Sequence, residues 1–148
     1  MPRVEAECPF CEIVAFDDPD VREIYRDDDV VAFFPTEPAV LGHVLVVPRM
    51  HVPNIWELDS ATTSQLAHAT KKLADLIHES LDPDGLNIIQ SNGRAATQTV
   101  FHLHVHLVPR YKGDPMGQIW PDETSFSESE KDEAQDLLRQ NVRKIVLP

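Results

Sequence analysis

Apolar and polar residues alternate strictly in one stretch of this chain. His102-Leu103-His104-Val105-His106-Leu107-Val108 sets an aliphatic residue after each imidazole. Side chains on a β-strand repeat every second residue, so the pattern predicts a strand with His102, His104 and His106 on one face and Leu103, Val105 and Leu107 on the other. The aliphatic face suits a core; the imidazole face suits a cleft. Other segments follow different rhythms. His43-Val44-Leu45-Val46-Val47, closed by Pro48, is almost continuously apolar and reads as a central strand covered on both sides. Val30-Val31-Ala32-Phe33-Phe34, ended by Pro35, reads as a strand. Its hairpin partner is Ile24-Tyr25-Arg26, with Asp27-Asp28-Asp29 as the turn. Leu86-Asn87-Ile88-Ile89-Gln90 is a further strand, and a polar loop from Ser91 to Thr99 leads into the histidine strand.

Residues Ser60 to Leu81 keep the helical period instead. Leu66, Ala69, Leu73, Leu76, Ile77 and Leu81 fall on one stripe, Asp59 or Ser60 can cap the start, and Pro83 with Gly85 ends the run. Pro109, Gly113 and Pro115 mark a loop. Ser127 with Glu130 has the spacing of a capping box, which predicts a final helix over about 128–146 carrying Leu137, Leu138, Val142 and Ile145. The chain shows no internal repeat, low-complexity tract or interdomain linker. Strands, a helix, more strands and a helix imply one α+β domain over residues 1–148 with a largely antiparallel sheet.

Composition narrows the function more than the fold. The apolar fraction of 42% and charged fraction of 26% are those of a soluble globule. No apolar run approaches a membrane span, and the first residues lack the apolar core of a secretory signal, so a cytoplasmic location and no membrane partner are expected. The net charge of -12 argues against a long nucleic acid held on a basic surface. A single nucleotide needs only a local cluster of donors and remains open. The acidic groups at Asp17 to Asp20, Asp27 to Asp29 and Glu128 to Glu133 read as solvated turns and a helix start.

Two features carry chemistry. Imidazole titrates near neutrality and serves as nucleophile, acid, base or metal ligand, and three in register on one strand exceed what a wet face requires. Cys8 and Cys11 are the only cysteines and are spaced C-x₂-C. A redox dithiol would call for a thioredoxin-like βαβ context, which the pattern lacks. A structural disulfide is disfavoured in a reducing compartment, and a zinc site needs two further ligands. The residues alone leave this choice open.

The segment from Phe101 through Val108, with Pro109-Arg110, resembles the signature of the histidine triad (HIT) superfamily. Cys8-Pro9-Phe10-Cys11 resembles the N-terminal segment of that family. Gly42-His43-Val44-Leu45-Val46-Val47-Pro48-Arg49-Met50-His51 resembles its central strand and the basic turn after it. Asn92, Gln98 and Thr99 fall where the family contacts phosphate. The resemblance spans about residues 8–120 and is nearest to the Hint-like branch. It implies an antiparallel sheet of about five strands with two main helices, usually in a homodimer. It also implies a hydrolase or transferase acting at the α-phosphate of purine nucleotide conjugates: phosphoramidates, dinucleoside polyphosphates or acyl-adenylates.

By that resemblance His104 is the nucleophile and forms a nucleotidyl-histidine. The backbone carbonyl of His102 fixes its tautomer, and His106 donates near the leaving group. Gln98, Thr99 and Asn92 are expected to bind phosphate or ribose, and Phe10, Ile13 and Phe33 (with Pro9) to form the base slot. Trp120 matches a residue that reaches the partner's site. The resemblance also assigns Cys8, Cys11, His51 and His102 to a structural zinc, with no cofactor needed for the chemical step. His43 could face the nucleotide, while His68 and His78 are expected at the surface.

The chain departs from the family pattern in two places. Pro35 stands where many relatives place an aspartate that holds the ribose, which leaves Glu37 or the backbone for that contact. Ala95-Ala96-Thr97 replaces a more glycine-rich phosphate loop. Two other functions compete. One is a metalloenzyme with all three triad imidazoles on a single zinc, though residues i, i+2 and i+4 of a strand lie too far apart to share one ion. The other is a non-catalytic nucleotide-binding or scaffold protein with a vestigial site.

Overall fold

A computed structural model describes residues 7–145. The chain clusters into two compact units, one up to Gly117 and one from Gln118 onward. The first holds a five-stranded sheet. Its strands are β1 (Glu23–Arg26), β2 (Val30–Phe33), β3 (Val44–Pro48), β4 (Gly85–Gln90) and β5 (Val105–Arg110), in the order β1-β2-β3-β5-β4. Every neighbouring pair is antiparallel. Helix α1 (Pro9–Ala15) precedes β1, and helix α2 (Ser60–Leu81) connects β3 to β4.

Period-two alternation sends each central strand's side chains to two different cores. Val30 and Ala32 of β2, Val44 and Val46 of β3, and Leu103, Val105 and Leu107 pack with Leu66, Ala69, Leu73 and Ile77 of α2. Val31, Phe33, Leu45 and Val47 pack on the other face with Phe10, Cys11 and Val14 of α1. This explains the unbroken apolar run in β3: both of its faces are covered, as the sequence predicts. The α1 helix was not predicted, because seven residues are too few to show a period. Cys8 caps it: the Cys11 backbone N–H donates to Cys8 Sγ at 3.3 Å.

Helix α2 begins where expected, with Asp59 accepting from the Thr62 N–H at 2.7 Å. It ends at Asp82, whose φ of 45° is left-handed, just before Pro83. Its buried stripe is Thr62, Leu66, Ala69, Leu73 and Ile77. Leu76 and Leu81, predicted to share that stripe, are each 44% exposed. They lie at its margin, past the arc that a 3.6-residue period can press against one sheet. His68 and His78 are exposed, as expected.

The histidine segment is a strand only in part. The ladder of β5 starts at Val105, opposite Val46 of β3, so His102 and His104 precede it. Extending the ladder would pair this segment with Pro48, which has no N–H to give. The Leu103 N–H instead donates to the Val52 carbonyl at 2.7 Å. The alternation itself persists, with Leu103 in the core and His102 and His104 buried.

The second unit contains helix α3 (Glu128–Asn141), followed by a 3₁₀ turn at Val142–Lys144. The Ser127–Glu130 capping box forms in both directions. Leu137, Leu138, Val142 and Ile145 are exposed, and Trp120 is 79% exposed.

Candidate active site and metal-ligand cluster

The sheet face toward α1 carries a cleft of about 450 Å³ lined by His43, His104, His106, Phe10, Phe33 and Thr99, among others. Each imidazole reaches it from a separate structural cause. His43 immediately precedes β3 and follows Gly42, whose φ of 93° belongs to the left-handed region. A Cβ there would collide with Leu81. His106 stands in β5 between Leu45 of β3 and Ile89 of β4. His104 lies just ahead of the strand, with the Phe10 ring edge-on at 5.1 Å between centroids.

Hydrogen bonds to groups of fixed polarity set the tautomers. A carbonyl only accepts, so the 2.8 Å contact from His104 Nδ1 to the His102 carbonyl places the proton on Nδ1 and leaves the Nε2 lone pair free. A backbone N–H only donates, so Ala39, 3.1 Å from His43 Nδ1, makes that nitrogen an acceptor. Neutral His43 then carries its proton on Nε2, which donates to His106 Nδ1 at 2.9 Å. His106 in turn presents Nε2–H. The rings of His104 and His106 are 4.9 Å apart. One imidazole thus offers a lone pair beside another that offers a proton. Burial depresses the pKa of His104, opposed by its bond to the His102 carbonyl. Burial also lowers His43, with His104 adding to the effect. His106 falls to about 4 through burial and its proximity to His104 and His43. All three rings are therefore neutral at pH 7.

His102 turns away from the cleft. Its side chain is fully buried, and Nε2 donates to the Pro48 carbonyl at 2.8 Å, which leaves Nδ1 as a lone pair. That nitrogen lies 3.6 Å from Cys8 Sγ and 3.5 Å from Cys11 Sγ, while His51 Nδ1 is 3.2 Å from Cys11 Sγ. The four ligand atoms of Cys8, Cys11, His51 and His102 lie within 4.8 Å of one another, so this cluster could hold a metal ion. A tetrahedral ion with bonds of ~2.3 Å to sulfur and ~2.0–2.1 Å to nitrogen requires S···N edges of ~3.5 Å, close to the three S···N distances of 3.6, 3.5 and 3.2 Å. The cysteines form no disulfide. Because His102 points into this cluster, the three triad imidazoles do not converge on a single ion.

The remaining predicted residues divide. Phe10, Ile13, Phe33 and Thr99 line the cleft. Phe10 and Phe33 meet edge-to-face at 5.4 Å and form a wall for a planar ligand. Gln98 is buried and fully engaged: Nε2 donates to the Pro53 and Val100 carbonyls, and Oε1 accepts from the Gly93 N–H. It shapes the loop from within and offers nothing to a phosphate in this conformation. Asn92 does not line the cleft. Its amide pairs reciprocally with Gln90, and its Oδ1 also accepts from the Ile55 N–H at 2.8 Å. The amides of Asn92 and Gln98, expected at the phosphate, are thus engaged by neighbouring loop and strand groups. Thr97 adopts φ 70°, the left-handed geometry of the glycine it replaces. Pro35 and Glu37 both line the cleft, so a carboxylate stands two residues beyond the departure.

Comparison with known proteins follows the same lines. The family model described as HIT domain matches residues 19–113. The Protein hit of Bacillus subtilis is 41% identical over 114 residues, covering 76% of this chain and 78% of that protein. Adenylylsulfatase HINT3 of Arabidopsis thaliana is 29% identical over 111 residues, covering 75% of this chain and 56% of its own. The crystal structure of a HIT family member from Bacillus subtilis superposes with a TM-score of 0.81 at 34% identity, covering 96% of this chain and 99% of that one. A zinc-bound histidine triad family protein from Mycobacterium smegmatis has a TM-score of 0.69 at 32% identity, covering 93% and 94%.

Proposed function

The chain belongs to the HIT family of nucleotide-binding proteins and hydrolases, and from that premise we propose that it hydrolyses purine nucleotide conjugates at the α-phosphate through a nucleotidyl-His104 intermediate. One observation carries this reading. His104 is buried, neutral at pH 7 and held by the His102 carbonyl so that its Nε2 lone pair is available in a cleft beside a proton donor. Nε2 attacks the α-phosphorus as the bond to the leaving group breaks, and His106 Nε2–H protonates the departing atom. Water then attacks the phosphorus and returns a proton to His106 Nε2, the P–N bond to His104 breaks, and a nucleoside monophosphate leaves. Splitting one displacement into two suits imidazole, which is both a good nucleophile and a good leaving group. Phosphoramidates, dinucleoside polyphosphates and acyl-adenylates share this chemistry and differ only in what departs.

Phe10, Ile13 and Phe33 supply the apolar slot for the base, and Thr99 a hydroxyl toward the phosphate. We assign zinc to Cys8, Cys11, His51 and His102, on the strength of the ligand spacing and the zinc-bound relative. Bound there, the metal supplies a structural tie between α1, the turn at His51 and the segment before β5. The chemical step takes place on the other side of His104. Thiolate ligands of this kind persist in a reducing cytoplasm, where we place the protein. Among the described residues no helix is long and apolar enough to cross a membrane.

We further propose a homodimer. Strand β4 is an edge of the sheet and shows Ile88 at 56% exposure. Beside it lies an almost wholly apolar face built from Ile55, Leu58, Leu66 and Ala67. An uncovered edge next to an apolar face invites a second copy of the same strand. Ile88→Lys is expected to yield monomers in light scattering.

Intact-mass analysis during turnover of an adenosine phosphoramidate tests the mechanism. The expected result is a covalent nucleotidyl adduct that is lost in His104→Ala. Monophosphate release that persists in His104→Ala would overturn the assignment, and tight binding with neither adduct nor release would leave a binding protein.

A further inference from the structure

We propose that the cleft selects guanine over adenine through Asp20 and Arg22, an inference that rests on the base lying in the slot described above. Both residues line the same cleft as His104 and Phe33, and both are exposed. They stand two apart, on either side of the half-buried Val21, which packs against the core formed by α1 and β2. The backbone holds this stretch in place. The Val21 N–H donates to the Asp18 carbonyl at 3.1 Å, and the Arg22 carbonyl accepts from the Phe34 N–H at 3.0 Å. Arg22 is thereby tied to the end of the strand that carries Phe33.

Neither charged group is committed to a partner among the described residues. The neighbouring Arg26 is fully engaged, with Glu23 and with the carbonyls of Ile13, Val14 and Phe16. Arg49 likewise holds the carbonyls of Asp27 and Val14. The Arg22 guanidinium and the Asp20 carboxylate make no such bond among the described residues. Apart from the imidazoles, the ionisable groups that line the cleft among the described residues are these two and Glu37. Glu37 follows Pro35 on the loop that leads to His43.

The pairing of donors and acceptors favours one purine. A carboxylate only accepts and a guanidinium only donates. Guanine offers N1–H and an N2 amino group to a carboxylate, and O6 with N7 to a guanidinium, the commonest specific contact of arginine with a base. Adenine offers one amino group to the carboxylate and only N7 to the guanidinium, and its N1 lone pair repels the carboxylate. Guanine can satisfy both side chains with two bonds each; adenine satisfies each with one.

Calorimetric binding of GMP and AMP, together with kcat/KM for guanosine and adenosine phosphoramidates, tests the inference. The wild type is expected to favour guanine on the order of tenfold, a discount for exposure from a fully buried bidentate pair. Asp20→Asn supplies an amide that suits adenine, so the preference should vanish or reverse. Arg22→Ala should lower guanosine turnover more than adenosine turnover. Equal binding of AMP and GMP to the wild type overturns the proposal, as does an unchanged ratio in both folded variants. Should neither phosphoramidate be turned over while GMP still binds more tightly than AMP, the hydrolase reading fails and the base selection stands.

Discussion

Replacing His43 tests the directed chain of imidazoles most sharply, because His43 itself need never touch the substrate. Its Nε2–H donates to His106 Nδ1 at 2.9 Å and thereby fixes which nitrogen of His106 carries the cleft-facing proton. In His43→Phe the ring volume stays and the donor goes. The net value of such a hydrogen bond, ~0.5–1.5 kcal/mol, is the bias that holds His106 in its working tautomer and orientation. Losing it should cost roughly tenfold in kcat/KM. The ceiling is the loss of general-acid help altogether, ~10²–10⁴. The Ala39 N–H also loses its acceptor, so some stability is lost as well. His43→Gln separates the two effects, because its amide can again donate toward His106 and should recover most of the rate. The informative assay varies the leaving group. Protonation matters most for a strongly basic amine and least for an acyl or aryl phosphate, so the defect should grow with leaving-group pKa. A folded His43→Phe enzyme that stays within about twofold of wild type on the most basic leaving group would refute the relay.

Three other outcomes follow from the geometry. Cys11→Ser, or treatment with a strong chelator, should release about one zinc per chain and lower the melting temperature by several degrees, because metal binding at such sites contributes to folding. Elemental analysis with thermal melts decides it, and a melting point indifferent to the chelator would remove the metal tie. Gly42→Ala should cost ~1–3 kcal/mol, since φ is 93° and the added Cβ meets Leu81. Urea midpoints check it, and Gly42→Ala with Leu81→Ala should relieve only the steric part. Stability should fall as pH drops from about 6.5 toward about 4: folded His43 and His106 resist protons that the unfolded chain accepts, and below that window these groups cost nothing further. Urea midpoints across the window should show a shallower slope in His43→Phe than in wild type.

The sequence exposed this site because period-two alternation is a physical statement about two faces. Leu103, Val105 and Leu107 entered the core against α2, and the intervening histidines went to the opposite side. Alternation could not tell that this side divides in two. Pro48 cuts the ladder short, and its carbonyl holds Nε2 of His102, which swings that ring from the cleft to the cysteines. Both the cut and the capture come from a residue on another strand. The partners that Asn92 and Gln98 find within the fold were hidden for a related reason. An amide in a polar loop looks equally suited to a ligand and to its own loop, and only the fold shows Gly93, Pro53 and Val100 already occupying Gln98. His43 was underrated because its partner lies 63 residues away. One local signal did exist: a histidine at the mouth of an otherwise apolar strand, after a glycine, has been placed at a strand end facing a cleft. The same reasoning gives Asp20 and Arg22 their weight. Within a run of acidic turns Asp20 reads as solvent-facing charge, and only its position beside Arg22 in the cleft of Phe33 and His104 sets it apart.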